Sequence, residues 1–266
     1  MSSSSFSQII NSLQRKDGYF ETQVPDTWMQ GRASFGGLVA ALGVEALQQT
    51  LSSPIPLRTV QIAFIGPVGE GLLRIETKIL RQGRSVTSMR ADLIQGEQVA
   101  CTVLACFGAS RESVLSVAAP SRPEVKSPEE SYCFPRKEGL TPKFLDHFDI
   151  RLAEGERPFT SGSDRNHGIW VRFNEPAPAS MAHIIALADT PPPIPLSMLN
   201  APANGSSLTW SLEFLTDDIQ ANADEWWYVR AELAQCSNGY NQQRYSIWSP
   251  SGEAIALANQ VMAVFA

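Results

Sequence analysis

Residues 34–49 read Ser34-Phe35-Gly36-Gly37-Leu38-Val39-Ala40-Ala41-Leu42-Gly43-Val44-Glu45-Ala46-Leu47-Gln48-Gln49, and their reading decides the fold. The spacing predicts a helix over 37–49 with Ser34 as its N-cap. No charge precedes Glu45. A helix apolar on nearly all sides is one surrounded by protein. Its glycines and alanines let a sheet approach closely. A short strand over 19–24 precedes it, and strand-like segments follow at 57–65, 72–81, 86–95 and 98–107. Gly83-Arg84 and Gly96-Glu97 fall between them and read as hairpin turns.

The second half repeats this order. Residues 143–151 and 168–173 look extended, and Ser180 precedes a short helix over 181–188. Asp189-Thr190-Pro191-Pro192-Pro193 ends that helix, because the residue before a proline is pushed out of the helical region. Strands over 207–215, 226–235, 240–249 and 253–265 follow. Thr59-Val60-Gln61-Ile62-Ala63-Phe64-Ile65 aligns with Thr209-Trp210-Ser211-Leu212-Glu213-Phe214-Leu215, and Gly96–Ala100 with Gly252–Ala256. Phe107 and Phe265 then close the two units. Between them, 113–142 is rich in proline and charge and reads as a linker or surface-crossing segment. The expected organisation is residues 1–112, a linker 113–142, and residues 143–266. A helix against one face of a consecutive, mostly antiparallel sheet, twice over, is an α+β layer fold.

Composition narrows the function. The chain has 266 residues, 43% of them hydrophobic and 18% charged, with a net charge of −6. That balance excludes a protein held to nucleic acid or acidic lipid mainly by basic charge. No apolar run is long enough to span a membrane. The start, Met1-Ser2-Ser3-Ser4-Ser5, lacks the regions of a secretory signal, and the chain ends Val264-Phe265-Ala266, unlike a peroxisomal address. Cys101, Cys106, Cys133 and Cys236 fit no zinc pattern, so a reducing, cytoplasmic home is the default. There is no nucleophile elbow, no H-E-x-x-H, no Walker loop and no G-x-G-x-x-G after a strand. His147, His167 and His183 read as ordinary polar residues, with His183 singled out because it shares a short helix with Asp189. No metal-ligand cluster appears and no cofactor is expected.

The order of elements resembles the double hotdog fold, two tandem repeats each with a central helix wrapped by a mainly antiparallel sheet. Trp28-Met29-Gln30-Gly31-Arg32-Ala33-Ser34-Phe35-Gly36-Gly37 resembles the approach to the first central helix of TesB-type (type II) acyl-CoA thioesterases. Leu80-Arg81-Gln82-Gly83-Arg84-Ser85 resembles that family's turn between long strands. The resemblance implies an acyl-CoA substrate and a hydrolytic set of aspartate, hydroxyl residue and glutamine in the second unit. By motif these fall on Asp189, Ser207 and Gln260, with Ser206 as the other candidate hydroxyl. A serine stands where the best-known members have threonine. The resemblance also implies a homo-oligomer.

Two readings stand for each residue. Asp189 either starts a turn or is a general base whose pKa is raised by the negative end of its helix and by burial. Strand alternation puts Ser207, Thr209, Ser211 and Glu213 on one polar face, where Ser207 either is plainly exposed or holds a water. Gln260 sits in an apolar strand and needs partners, elsewhere in the core or at the site. Gly36 and Gly37 serve either tight packing or an oxyanion site made of free helix N–H groups. Arg84 is either a solvated turn residue or a contact for a coenzyme A phosphate. Phe35, Trp210, Trp226, Trp227 and Trp248 are candidates to shape the acyl tunnel. The reaction the resemblance implies is attack on the thioester by a water that Ser207 and Gln260 hold and Asp189 deprotonates, without a covalent acyl-enzyme. The alternatives are a non-catalytic acyl-CoA-binding or scaffold protein and a hotdog hydratase or dehydratase, though the N-P-x-H type stretch of the latter is missing.

Overall fold

The computed structural model describes residues 4–265 apart from Glu138 and Leu140. Met1–Ser3 of the starting stretch, Ala266 at the end, and those two positions within 113–142 lie outside the described residues. The first unit holds α1 (Phe6–Asn11), β1 (Gln14–Arg15), β2 (Phe20–Val24), β3 (Met29–Gln30), β4 (Ala33–Ser34), α2 (Gly36–Thr50), β5 (Leu57–Phe64), β6 (Gly71–Gln82), β7 (Val86–Gln95) and β8 (Gln98–Gly108). The connecting segment carries β9 (Tyr132–Cys133). The second unit holds β10 (Phe148–Glu154), β11 (Asn166–Phe173), α3 (Met181–Ala188), α4 (Pro195–Met198), β12 (Asn204–Phe214), β13 (Trp227–Ser237), β14 (Tyr240–Trp248) and β15 (Ala254–Phe265).

Both units contribute to one 13-stranded sheet in the order β1-β2-β6-β7-β8-β5-β12-β15-β14-β13-β11-β10-β9. This is the expected double hotdog. The units meet where β5 pairs with β12. Thr59 stands opposite Glu213 and Ala63 opposite Thr209, symmetric about the pair Gln61–Ser211. The alignment of Thr59 with Thr209 is therefore the alignment of the fold. The second alignment slips by one residue. Ala100 is the extra residue of β8 against β7, and Ile255 is the extra residue of β15 against β14. Phe107 consequently corresponds to Met262, while Phe265 is exposed.

Helix α2 is buried on nearly every side, from Gly37 to Leu47 with only Glu45 partly exposed. A Cβ added at Gly43 meets Val103 at 2.8 Å and Leu93 at 3.0 Å, so glycine sets how closely the helix rides on the sheet. The helix begins at Gly36, one residue before the predicted start, and Phe35 occupies its N-cap without a side-chain cap bond. Ser34 lies instead in β4, with its hydroxyl donating to Met29 Sδ at 3.4 Å. Extended structure is predicted over 143–151, but Lys143–His147 form a 3-10 turn before β10. That turn stacks Phe144 on Phe35 at 4.2 Å and His147 on Trp28 at 4.0 Å.

The connecting segment is docked along part of its length. The Trp248 indole donates to the Pro120 carbonyl at 3.0 Å and the Trp170 indole to that of Lys126 at 2.7 Å. Trp170, Tyr228, Trp248 and Ala254 form a separate cluster, with Val125 and Trp226 packed against it. No helix among the described residues is long and apolar enough to cross a membrane.

Candidate active site

Asp189 is the C-cap of α3. That helix starts at a capping box in which Ser180 and His183 serve each other's backbone, and it stops ahead of the prolines at 191–193. Ser207 comes from β12 and Gln260 from β15. The three side chains meet. Gln260 Nε2 donates to Asp189 Oδ1 at 3.1 Å and to Ser207 Oγ at 2.9 Å. Gln260 Oε1 accepts from the Tyr245 hydroxyl at 2.8 Å. The amide thus has a partner for both N–H groups and for its oxygen. Ser206 is exposed, and Ser207 is the hydroxyl that meets Gln260.

A bulge delivers Ser207. Against β15, Ser207 pairs with Met262 and Thr209 with Val261, so Leu208 is the extra residue. The predicted alternation breaks there, because a bulge re-aims the side chains on one side of it. Ser207 leaves the face of Thr209 and Ser211 and joins that of Gln260, beside buried Trp210 and Leu212.

The electrostatics differ from the one-helix expectation. Asp189 is at the negative end of α3, but it also faces the positive end of α2, where the Gly37 N–H is near enough to lower its pKa. The two helix ends oppose each other. Burial raises the carboxyl from 3.8 to about 7, against the Gln260 bond and the nearby Gly37 N–H, which lower it. Its other oxygen, Oδ2, lies 2.8 Å from where a Gly36 Cβ would stand, and the Phe64 ring lies 3.2 Å from that point. Only glycine leaves room for the carboxylate there.

The remaining candidates separate. Phe35 is 1% exposed and sits in an aromatic cluster with Trp28, Phe144 and Phe148. Arg84 is exposed in the β6–β7 turn. The next strand pairs Val86 with Gly108, and Gly108 donates to the Pro56 carbonyl, so that turn sits at the Leu57 end of β5. Gly36 is at the Phe64 end, about 23 Å away at roughly 3.3 Å per strand residue. Arg84 is therefore not brought to the Asp189 corner. Trp226 and Trp248 belong to the separate aromatic cluster, Trp227 lies in the main core, and Trp210 stands in register with Gln260. His183 binds Ser7 and Ser180 rather than Asp189, and burial lowers its pKa to about 4. Tyr245 is the residue that sequence reading missed. Its signal was the polar alternation Asn241, Gln243, Tyr245 on β14, all three buried.

Comparison with known proteins matches this architecture. Residues 24–108 match the model of the acyl-CoA thioesterase N-terminal domain, and residues 119–264 that of the acyl-CoA thioesterase C-terminal domain. The chain belongs to the acyl-CoA thioesterase family. Hydrolysis of acyl-CoA thioesters is the activity that goes with this membership. No curated protein sequence matches this thioesterase significantly. Solved structures share its fold from end to end. A conserved protein of unknown function with a hot dog fold from Alicyclobacillus acidocaldarius has TM-score 0.89 at 24% identity, covering 98% of both chains. The tesB protein of Mycobacterium avium subsp. paratuberculosis has TM-score 0.80 at 16% identity, over 98% of this chain and 100% of that one. The acyl-CoA thioesterase II TesB2 of Mycobacterium marinum has TM-score 0.76 at 16% identity, over 97% of both.

Proposed function

We propose that this thioesterase hydrolyses its acyl-CoA substrate with a water activated by Asp189 and held by Ser207, without an acyl-enzyme. The observation that carries this reading is the Gln260 amide joining Asp189 and Ser207. Both amide protons are taken, so Gln260 orients the other two groups and the water lies between them. Ser207 Oγ accepts from Gln260 and keeps its own O–H as a donor to the water oxygen. The water donates a proton to Asp189, whose pKa near 7 suits a general base at neutral pH.

The water oxygen forms a bond to the thioester carbonyl carbon as its proton passes to Asp189. The tetrahedral intermediate then expels the coenzyme A thiolate as the C–S bond breaks, and the proton on Asp189 returns to the thiolate or to solvent. The developing oxyanion needs a donor. The Gly37 N–H lies toward Asp189 and lowers its pKa, so the Gly36 N–H, at the first helical position and the positive end of α2, is the donor assigned to it.

The test is thiol release from a panel of acyl-CoA esters by the unaltered enzyme and by Asp189→Asn. The expected outcome is a loss of a hundredfold or more in kcat with the fold retained. Undiminished hydrolysis in the variant sinks the base assignment while keeping the activity. Single-turnover hydrolysis in 18O-water separately tests the direct attack. Label belongs in the released acid, and label in the Asp189 carboxyl instead overturns it.

A further inference from the structure

We propose that Tyr245 is a positioning residue for the hydrolytic water, acting through Gln260 by fixing which end of its amide faces Asp189 and Ser207. The inference rests on the reading of Asp189, Ser207 and Gln260 given above. A glutamine amide presents nearly the same shape when its oxygen and nitrogen exchange places. In one orientation Nε2 gives one proton to Asp189 and the other to Ser207. In the other, Oε1 faces the carboxylate and the bond to Asp189 is lost, while Ser207 keeps a bond only by turning its own O–H to Oε1 and away from the water. Asp189 and Ser207 favour the first orientation only while Asp189 is ionised and Ser207 is an acceptor, and both conditions change during turnover.

Tyr245 supplies a preference that does not change. Its hydroxyl donates to Gln260 Oε1 at 2.8 Å. The phenol is 4% exposed and Gln260 is 3% exposed, so water is a poor substitute for either partner. Burial and the nearby Asp189 charge push the Tyr245 pKa up, which keeps the hydroxyl a donor at every working pH. The residue comes from β14, two strands from Ser207, and stands in register with Ala258 while Gln260 pairs with Gln243. The donor chain therefore runs in one direction, from Tyr245 O–H to Gln260 oxygen, and from Gln260 N–H to Asp189 and Ser207. Ser207 is left with its proton pointing onward to the water. Bonds aligned in this way polarise one another.

The experiment compares unaltered enzyme, Tyr245→Phe, Gln260→Ala and the double variant. For Tyr245→Phe the expected result is a five- to twentyfold fall in kcat with KM unchanged. Its acid limb moves to higher pH, because a reoriented amide no longer donates to Asp189. In the Gln260→Ala background the same substitution is expected to change kcat less than twofold, since Tyr245 then has nothing to act through. Equal effects of Tyr245→Phe in both backgrounds overturn the proposal, as does an unmoved acid limb. A carboxyl 13C titration of Asp189 reads the same contact without turnover. The pKa is expected to rise in Tyr245→Phe even if no ester tried is a substrate, and an unchanged value overturns the inference independently of the hydrolytic reading. Should Tyr245→Phe not fold, the unaltered protein still decides. The Tyr245 hydroxyl proton is expected as a slowly exchanging NMR resonance, and a freely exchanging one removes the bond on which the proposal stands.

Discussion

Each unit carries a bulge at the same point of the strand that meets its neighbour, Arg58 in β5 and Leu208 in β12. Just before it, Ser207 stands opposite Met262, and Leu57 stands opposite Phe107. Two pairs further on, Trp210 faces Gln260 and Val60 faces Ala105. On the next strand, Tyr245 corresponds to Ala91, through their partners Ala258 and Val103. The C-cap of α3 is Asp189, and that of α2 is Leu51. The fold thus builds the same corner twice. One corner holds Asp189, Ser207, Gln260 and Tyr245; the mates of the last three are Leu57, Ala105 and Ala91, all buried. The bulge, the helix end and the paired helices belong to the backbone and are available in both units. The chemistry comes from which side chains occupy them. The apolar corner adds to the core, whereas the polar one buries a carboxyl and is held by hydrogen bonds, a familiar exchange of stability for activity.

Substitutions that make one corner resemble the other test this comparison. Gln260→Ala copies the mate's Ala105 and is expected to have the largest effect. It removes the donor that joins Asp189 to Ser207, and kcat should fall about a hundredfold, within the range ascribed to a positioned acid–base group. Steady-state thiol release with a circular-dichroism check on folding measures it, and a fall under threefold contradicts the assigned role.

Leu57→Ser runs the comparison the other way. It places a hydroxyl at the mate of Ser207 without the aspartate or glutamine. Activity should be unchanged, while stability drops by about 2–5 kcal/mol, as for other truncations of a buried leucine. A denaturant midpoint that stays put would mean that this corner is looser than its burial indicates. Ser207→Ala is expected to cost about tenfold in kcat by removing one water contact, and Ser207→Thr to retain most of the rate because the hydroxyl stays. Equal loss in both variants points to a space requirement rather than to the hydroxyl.

The smallest effect concerns pH. Burial raises Asp189 from 3.8 to about 7, so between those values the folded chain holds a proton that the unfolded chain has released. The associated stability is present below that window and is lost as pH rises through it. Asp189→Asn removes the dependence. Its melting temperature relative to the unaltered protein should be several degrees higher at pH 8 than at pH 4.5. A constant difference between the two proteins would show that the carboxyl titrates normally.

Much of this was legible in the residues. The apolar run from Gly37 to Leu47 announced a buried helix, and α3 runs from Met181 to Ala188 as the Ser180 cap and the prolines after Asp189 indicate. The alignment of Thr59 with Thr209 is the true symmetry of the sheet. These features are set by neighbours in the chain: periodicity, caps and proline sterics act over a few residues. The capping of α2 was misread for the same reason. Ser34 is a good local cap, but β4 takes it, and the helix end faces Asp189 from the other unit instead.

The sequence by itself determined the element order, the two-fold repeat and the residue types available for chemistry. The tertiary structure alone decided which of them meet. The bulge at Leu208 turned Ser207 inward, against an alternation that a regular strand would have kept. The approach of Gly37 to Asp189 set one helix dipole against another, leaving burial as the cause of the raised pKa. The bond from Tyr245 to Gln260 joins residues on neighbouring strands, and nothing in either strand's own pattern specifies it. Such contacts depend on register, bulges and helix approach, which are fixed by packing the whole sheet at once. Local rules therefore find the parts, and only the packed core assembles the site.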